Sequence, residues 1–445
     1  MKLRRLYGAA RVYHWPLPWL SAICILADLP TCRLAVSTES RYPTADTDMI
    51  YRSPLIVAVY VPTLLLAFAE GLLIAVLPLY AASFGVGYGL VGLATSAAAI
   101  GTLLTDVPAG AVLSRFGLRR AMILGSGLAA GSTLALVWSG QFPGLVALRL
   151  LAGIGGAIWA LSRHAYIAEA IPSAQRGKAL SMFGGINRIG IFAGPAIGGI
   201  LTNVAGIHPT FLLSASLSGL AMILSAILLK PLPRGAGGLG ARSRWRLVAA
   251  GVRTHARDLS AAAVAQTLGQ MIRAGRFLII PLWGSQQLGL NAAQIGTIVT
   301  AGAIVDVAMF IPAGMLMDRF GRKVAAVPSF SLMALGIGLV PFTTSFLTLL
   351  LVAALIGMGN GLGSGLMMTL GADLAPPGAT GEFLGVWRLI GDIGAVAGPI
   401  VIGIVAAALG LSGGAWVLSL VGWLAVLTLA RLVRETRVRP LDERG

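Results

Sequence analysis

Val107-Pro-Ala-Gly110, followed by Arg115-Phe-Gly117 and Arg119-Arg120, returns later in the same chain as Ile311-Pro-Ala-Gly314, Arg319-Phe-Gly321 and Arg322-Lys323. The shift is about 204 residues. It is kept by Gly190-x-x-x-Gly194-Pro195 against Gly394-x-x-x-Gly398-Pro399, by Gly153-x-Gly155 against Gly357-x-Gly359, and by Pro172…Gly177 against Pro376…Gly381. Several matches in one order at one shift mark an internal duplication. Two copies of a membrane-embedded unit facing each other across a cavity is an architecture that such a duplication builds.

Composition says which solvent the repeated unit meets. The chain has 445 residues, 57% hydrophobic and 11% charged, with a mean hydropathy of +0.86. Soluble domains carry about a quarter charged residues, so the apolar surface here is matched to lipid. The net charge of +17 does not point to nucleic acid, because the basic residues gather in alternate short loops between apolar stretches. Cys24 and Cys32 stand alone in the N-terminal region without metal-ligand spacing. Neither a metal nor a cofactor is expected.

Twelve apolar stretches approach the ~20 residues needed to cross ~30 Å of hydrocarbon: 55–82, 89–113, 121–139, 143–167, 179–203, 210–229, 261–286, 292–317, 324–342, 346–371, 383–408 and 412–430. Helices satisfy their own backbone groups in lipid, so the expected fold is an all-α membrane protein of twelve transmembrane helices. Two pseudo-symmetric six-helix bundles, 54–230 and 260–430, flank a linker at 231–259, with an arm at 1–53 and a tail at 431–445. The turns after the odd-numbered spans lack Asp, Glu, Lys and Arg. The opposite loops carry Arg115, Arg119, Arg120, Arg176, Lys178, Arg319, Arg322 and Lys323. Lys and Arg concentrate on the cytoplasmic side, which places the even-numbered loops and both termini inside, in a cell inner membrane. The linker holds Arg234, Arg242, Arg244, Arg246, Arg253 and Arg257 and is read as a topology signal attracted to anionic lipid. Trp15–Leu29 is too short to span, and translation from Met49 is the plainest expectation for the arm.

The paired loops, Gly110-x-x-x-Ser114-Arg115-Phe-Gly117-x-Arg119-Arg120 and Gly314-x-x-x-Asp318-Arg319-Phe-Gly321-Arg322-Lys323, resemble the signature loop of the major facilitator superfamily. The resemblance implies that Asp106, Gly110, Arg115, Gly117, Arg119, Gly314, Asp318, Arg319 and Gly321 latch a cytoplasmic gate. It also implies that the loop glycines let the second and eleventh spans, and the eighth and fifth, approach closely. Ser114 departs from the family's Asp, which implies a weaker latch in the first copy. Gly190, Gly194, Pro195 and Gly198 on the fifth span form a small-residue packing stripe. That stripe is similar to the signature of proton-coupled drug antiporters, incompletely so, since Ser181 replaces an earlier glycine. Arg149-x-x-x-Gly153-x-Gly155-Gly156 resembles the family's fourth-helix motif, whose arginine is linked to proton transfer.

Charges inside apolar spans carry the remaining chemistry, because each is costly in lipid and needs a partner or water. Glu70, mid-span, is the leading proton carrier, with Arg149 and Asp306 completing the expected coupling set. Arg149 either holds a carboxylate ionised or bonds backbone carbonyls. Glu70, Arg188, Arg273, Arg276, Arg388 and Asp392 are expected to line a substrate cavity. Arg273 and Arg276 share a helical face, Asp306 is their candidate partner, and Arg388 and Asp392 sit four residues apart. His164 reads as interfacial, and Trp159, Phe183, Trp283 and Trp387 as possible apolar contacts of the path.

The expected function is secondary transport rather than enzymatic catalysis, through alternating access of two bundles. Protons and a small drug-like or metabolite compound are the expected partners of a monomer embedded in the bilayer, with efflux the expected direction. Organic anion uptake or exchange through Arg149, Arg188, Arg273 and Arg276 is the alternative. No P-loop is present, which argues against transport driven directly by ATP.

Overall fold

In the computed structural model, residues 54–106, 108–171, 173–230, 256–376, 380–433 and 435 are described. The arm at 1–53 and most of the linker lie outside them, as does the side chain of Ser114. The described chain is helical, with no strand among these residues. The first half comprises α1 Pro54–Ile74, α2 Leu77–Ser83, α3 Tyr88–Asp106, α4 Ala109–Phe116, α5 Leu118–Ala135, α6 Phe142–Ala170, α7 Ser173–Ala205 and α8 Ile207–Leu228. The second comprises α9 Ala256–Gln286, α10 Ala292–Ala308, α11 Phe310–Phe320, α12 Arg322–Leu339, α13 Phe346–Leu362, α14 Leu366–Asp373 and α15 Thr380–Arg431.

Ten of the described helical segments are long and apolar enough to cross a membrane, against twelve expected stretches. Both differences have a physical cause. In α9 the charged Arg273 and Arg276 interrupt an otherwise suitable 31-residue helix. In α15 two helices meet at a kink at Gly410 (φ 75°, ψ 173°), between the expected spans 383–408 and 412–430, and the pair is counted as one segment. Other expected spans are divided where proline removes a backbone donor. Pro78 lies in the first turn of α2, Pro108 is the N-cap of α4, and Pro312 lies just inside α11. Span ten divides at Gly365 (φ 74°), the N-cap of α14.

Helix pairing follows the small-residue stripes. Gly190, Gly194 and Gly198 lay α7 against α1, where an added Cβ at Gly198 would come 2.1 Å from the Leu72 carbonyl oxygen. In the second half, Gly394 and Gly398 lay α15 against α9 in the same manner, at Thr267 and Met271. The halves meet through α3 against α15 and α7 against α10. The loop glycine Gly314 has open space around its Cβ position, so it does not create this approach. The tight positions are Gly92, Gly199, Gly296 and Gly403, all inside helices. That corrects the role expected of Gly314.

A large apolar core joins the halves near the charge-poor loops, where Leu73, Leu77 and Val91 share a cluster with Leu278, Leu282, Trp283 and Ile295. At the end bearing the basic loops, Tyr60, Met122, Trp159, Tyr166 and Phe183 form a separate cluster belonging to the first half.

Candidate functional site

A cavity of about 710 Å³ lies between the halves, within the range of small-molecule sites. From the first half it is lined by Glu70, Arg149, Trp159, Arg163, His164, Asn187 and Arg188. From the second come Gln270, Arg273, Arg276, Asn360, Ser364, Arg388 and Asp392. At the charge-poor end α2 packs on α9, and the Tyr88 hydroxyl donates to the Gln286 side chain.

The second-half wall is built around Asp306, 1% exposed. The Asn360 amide donates to its Oδ2. Arg188 and Arg276 approach its carboxylate to 3.9 and 4.0 Å, longer than hydrogen bonds. Arg273 donates to the Gly363 carbonyl at 2.9 Å, where α13 ends and its carbonyls are otherwise open. Arg188 donates to Ser364 Oγ at 2.7 Å and lies over the Phe310 ring at 5.0 Å. The Gly363–Ser364–Gly365 break in span ten therefore supplies acceptors for two arginines. Asp306 is, as expected, the acid beside Arg276, and Arg188 of the other half joins it.

Glu70 on α1 is exposed to the cavity, and among the described residues it forms neither a hydrogen bond nor an ion pair. Its charged neighbour is Arg149, 8% exposed, which feels the carboxylate as its attractive charge. Arg149 makes no hydrogen bond to a backbone carbonyl among the described residues, and its Nε is buried without a partner. Arg163 lies over the Phe183 ring at 3.7 Å. His164 lines the cavity, its Nδ1 beside the Ala160 carbonyl and its ring edge-on to Phe183. Of the four aromatics expected along the path, Trp159 lines the cavity. Phe183 carries Arg163, whereas Trp283 and Trp387 are core residues, the latter donating to the Met367 carbonyl at 2.8 Å.

Arg388 and Asp392 form the expected intrahelical pair at 3.5 Å. Asp392 also lies close to the carboxyl of Asp106 on α3, across the interface between the halves.

The basic loops make contacts within each half. Arg119 donates to the Ala226 carbonyl, and Arg322 Nε to Asp373 Oδ2 at 3.0 Å. The Glu435 carboxylate accepts the backbone N–H groups of Arg322 and Lys323, both at 2.9 Å, at the N-terminus of α12. Gly117 and Gly321 end α4 and α11 with φ of 79° and 104°, values that favour glycine. Arg115, Asp318 and Arg319 are exposed at these loops.

Sequence reasoning missed Asn360, Ser364 and Arg163 as cavity residues. Asn360 and Ser364 sit in a run alternating with Gly357, Gly359, Gly361, Gly363 and Gly365. Polar side chains between such closely spaced glycines in an apolar span were the available signal for an interrupted, cavity-lining helix.

The Major Facilitator Superfamily model matches residues 60–272 and 262–445. An uncharacterized MFS-type transporter of Methanocaldococcus jannaschii is 22% identical, over 80% of this chain and 92% of its own. The class C tetracycline resistance protein found in Escherichia coli is 26% identical, over 72% of this chain and 82% of its own. The solved D-xylose-proton symporter superposes with a TM-score of 0.70 at 17% identity, covering 87% of this chain and 99% of that one. With the fold and the matches spanning both copies of the repeat, the chain belongs to the Major Facilitator Superfamily and is a multi-pass membrane transporter of a small molecule, not an enzyme.

Proposed function

We propose that the protein exports a drug-like or metabolite compound from the cytoplasm in exchange for protons, as a monomer in the inner membrane. Twelve membrane helices form two pseudo-symmetric bundles, 54–230 and 260–430, that rock about the cavity. Both termini and the basic loops lie inside. The apolar seal at the charge-poor end supports reading the cavity as facing the cytoplasm. The paired loops, from Asp106 and Gly110 to Arg119 and from Gly314 to Gly321, act as its gate.

Glu70 carries this reading. A carboxylate at membrane depth without a hydrogen bond or ion pair among the described residues is expensive unless it changes protonation in function. Arg149, whose charge does not titrate in the working range, favours the ionised carboxylate until a proton arrives. Proton binding then shifts the balance between inward and outward forms, provided the two differ in proton affinity. Asp306 completes the coupling set, held by Asn360 and flanked by arginines from both halves. The likeness to a tetracycline resistance protein supports export of drug-like compounds.

The test is proton movement in proteoliposomes containing a pH dye, challenged with lipophilic cations, neutral drugs and organic acids. Substrate-dependent proton flux that disappears in Glu70→Gln is the expected result. Undiminished flux in that variant, with folded protein, would remove Glu70 from the mechanism.

A further inference from the structure

Arg276 is a buried cavity arginine over the Phe277 ring at 4.6 Å, and it shares one carboxylate, Asp306, with an arginine of the other half. Its side chain is 11% exposed, and its Nε is buried without a partner. Among the described residues its guanidinium makes no hydrogen bond, and the nearest acid, Asp306, stands 4.0 Å away with Asn360 already bound to it. Five donors in a fixed fork are the side-chain geometry that fits a carboxylate or phosphate oxyanion. Arg188, from the opposite half and 31% exposed, also reaches Asp306 only at 3.9 Å. Across the whole cavity region six arginines (149, 163, 188, 273, 276 and 388) face four carboxyls (70, 106, 306 and 392). Two of those carboxyls, Asp106 on α3 and Asp392 on α15, lie close to each other, and Asp392 is paired with Arg388 at 3.5 Å. The region is left with excess positive charge, and Arg276 and Arg188 present it side by side at Asp306, with no guanidinium hydrogen bond to that carboxylate among the described residues.

We infer that the substrate carries an acidic oxyanion group, and that this group docks on Arg276 with Arg188 as its second contact. Desolvated guanidinium donors that the protein leaves open are met by the ligand, and analogues lacking the acid leave them unpaired. This inference rests on the cavity being the transport path, but not on Glu70 being the proton carrier.

Equilibrium binding tests it separately from transport. Purified protein in nanodiscs is titrated with matched acid and amide probes: dansylglycine and dansylglycinamide, 2-naphthoate and 2-naphthamide, 4-phenylbutyrate and 4-phenylbutyramide. The acid of at least one pair is expected to bind tenfold or more tightly than its amide. Arg276→Gln is expected to erase that preference, and Arg276→Lys to retain part of it. Arg188→Gln, at a more exposed position, is expected to narrow the preference if Arg276→Gln does not fold. Equal binding of acid and amide in every pair, absence of binding by all three acids, or a preference unchanged in the folded arginine variants overturns the inference. If acid preference survives while substrate-driven proton flux is absent, the proton-exchange reading fails alone.

Discussion

Gly296 lies directly beneath the carbonyl of Pro195, where an added Cβ would come 2.2 Å from the proline oxygen. The relationship is reciprocal across the duplication: Gly92, 204 positions earlier, lies beneath the carbonyl of Pro399, 204 positions later, at 2.3 Å. Each copy thus lends a glycine to one interface and a proline to the other. Close backbone approach of this kind is how membrane helices associate without a hydrophobic drive. Gly296→Val is expected to push α10 off α7, destabilising the folded protein by ~1–3 kcal/mol. Gly92→Val is expected to act similarly on α3 and α15. Thermal unfolding in detergent checks both, and a wild-type melting temperature in either variant would show that the interface yields freely.

Glu435 supplies a second prediction. Its carboxylate accepts two backbone N–H groups at the start of α12, where the helix dipole favours negative charge. The first copy has Pro231 at the corresponding position and no such acid. Glu435→Ala is expected to cost ~1 kcal/mol, in the range of lost helix caps, with Glu435→Gln losing less. Hydrogen exchange should quicken at Arg322 and Lys323 in the alanine variant. Unchanged protection there would mean that water or another group replaces the carboxylate.

These contacts show where the sequence was readable and where it was not. Arg188, Arg273, Arg276 and Asp306 stood out because a charge inside an apolar run is conspicuous, and the structure gathers all four around one wall. The i,i+4 spacing of Arg388 and Asp392 made their pairing readable as well. The approach of Asp106 to Asp392 was not, because it depends on how α3 crosses α15, and helical periodicity carries no information between halves. Asn360 and Ser364 were hidden for another reason: among glycines they look like packing residues until Gly365 interrupts the helix. The side that His164 presents was not readable from its position along α6, because the rotation of the helix about its axis turns it to the cavity. The turn expected between spans 383–408 and 412–430 falls at Gly410, whose φ of 75° breaks the helix there.

Arg163 over the Phe183 ring at 3.7 Å gives a third prediction. The guanidinium is 6% exposed, and its Nε has no hydrogen-bond partner, so the ring face is its principal contact among the described residues. A desolvated cation–π pair of this type contributes ~2 kcal/mol. Phe183→Leu keeps apolar bulk while removing the quadrupole, and is expected to lower stability by about that amount. Phe183→Tyr keeps the ring and is expected to stay near wild type in the same unfolding measurement. Equal melting of the leucine and tyrosine variants would reduce the contact to ordinary packing.

The proximity of Asp106 on α3 to Asp392 on α15 gives the last prediction. Arg388 at 3.5 Å offsets the charge of Asp392, and one Asp106 carboxyl oxygen is buried without a hydrogen-bond partner. Asp392→Asn removes one of two neighbouring acids and offers Asp106 an amide N–H, so the α3–α15 contact is expected to persist with near wild-type stability. Asp392→Ala removes the partner of Arg388 and leaves Asp106 with no donor from position 392, at an expected cost of ~1–3 kcal/mol. Thermal unfolding in detergent compares the two variants. Equal melting of the alanine and asparagine variants would show that Asp106 needs no group from position 392.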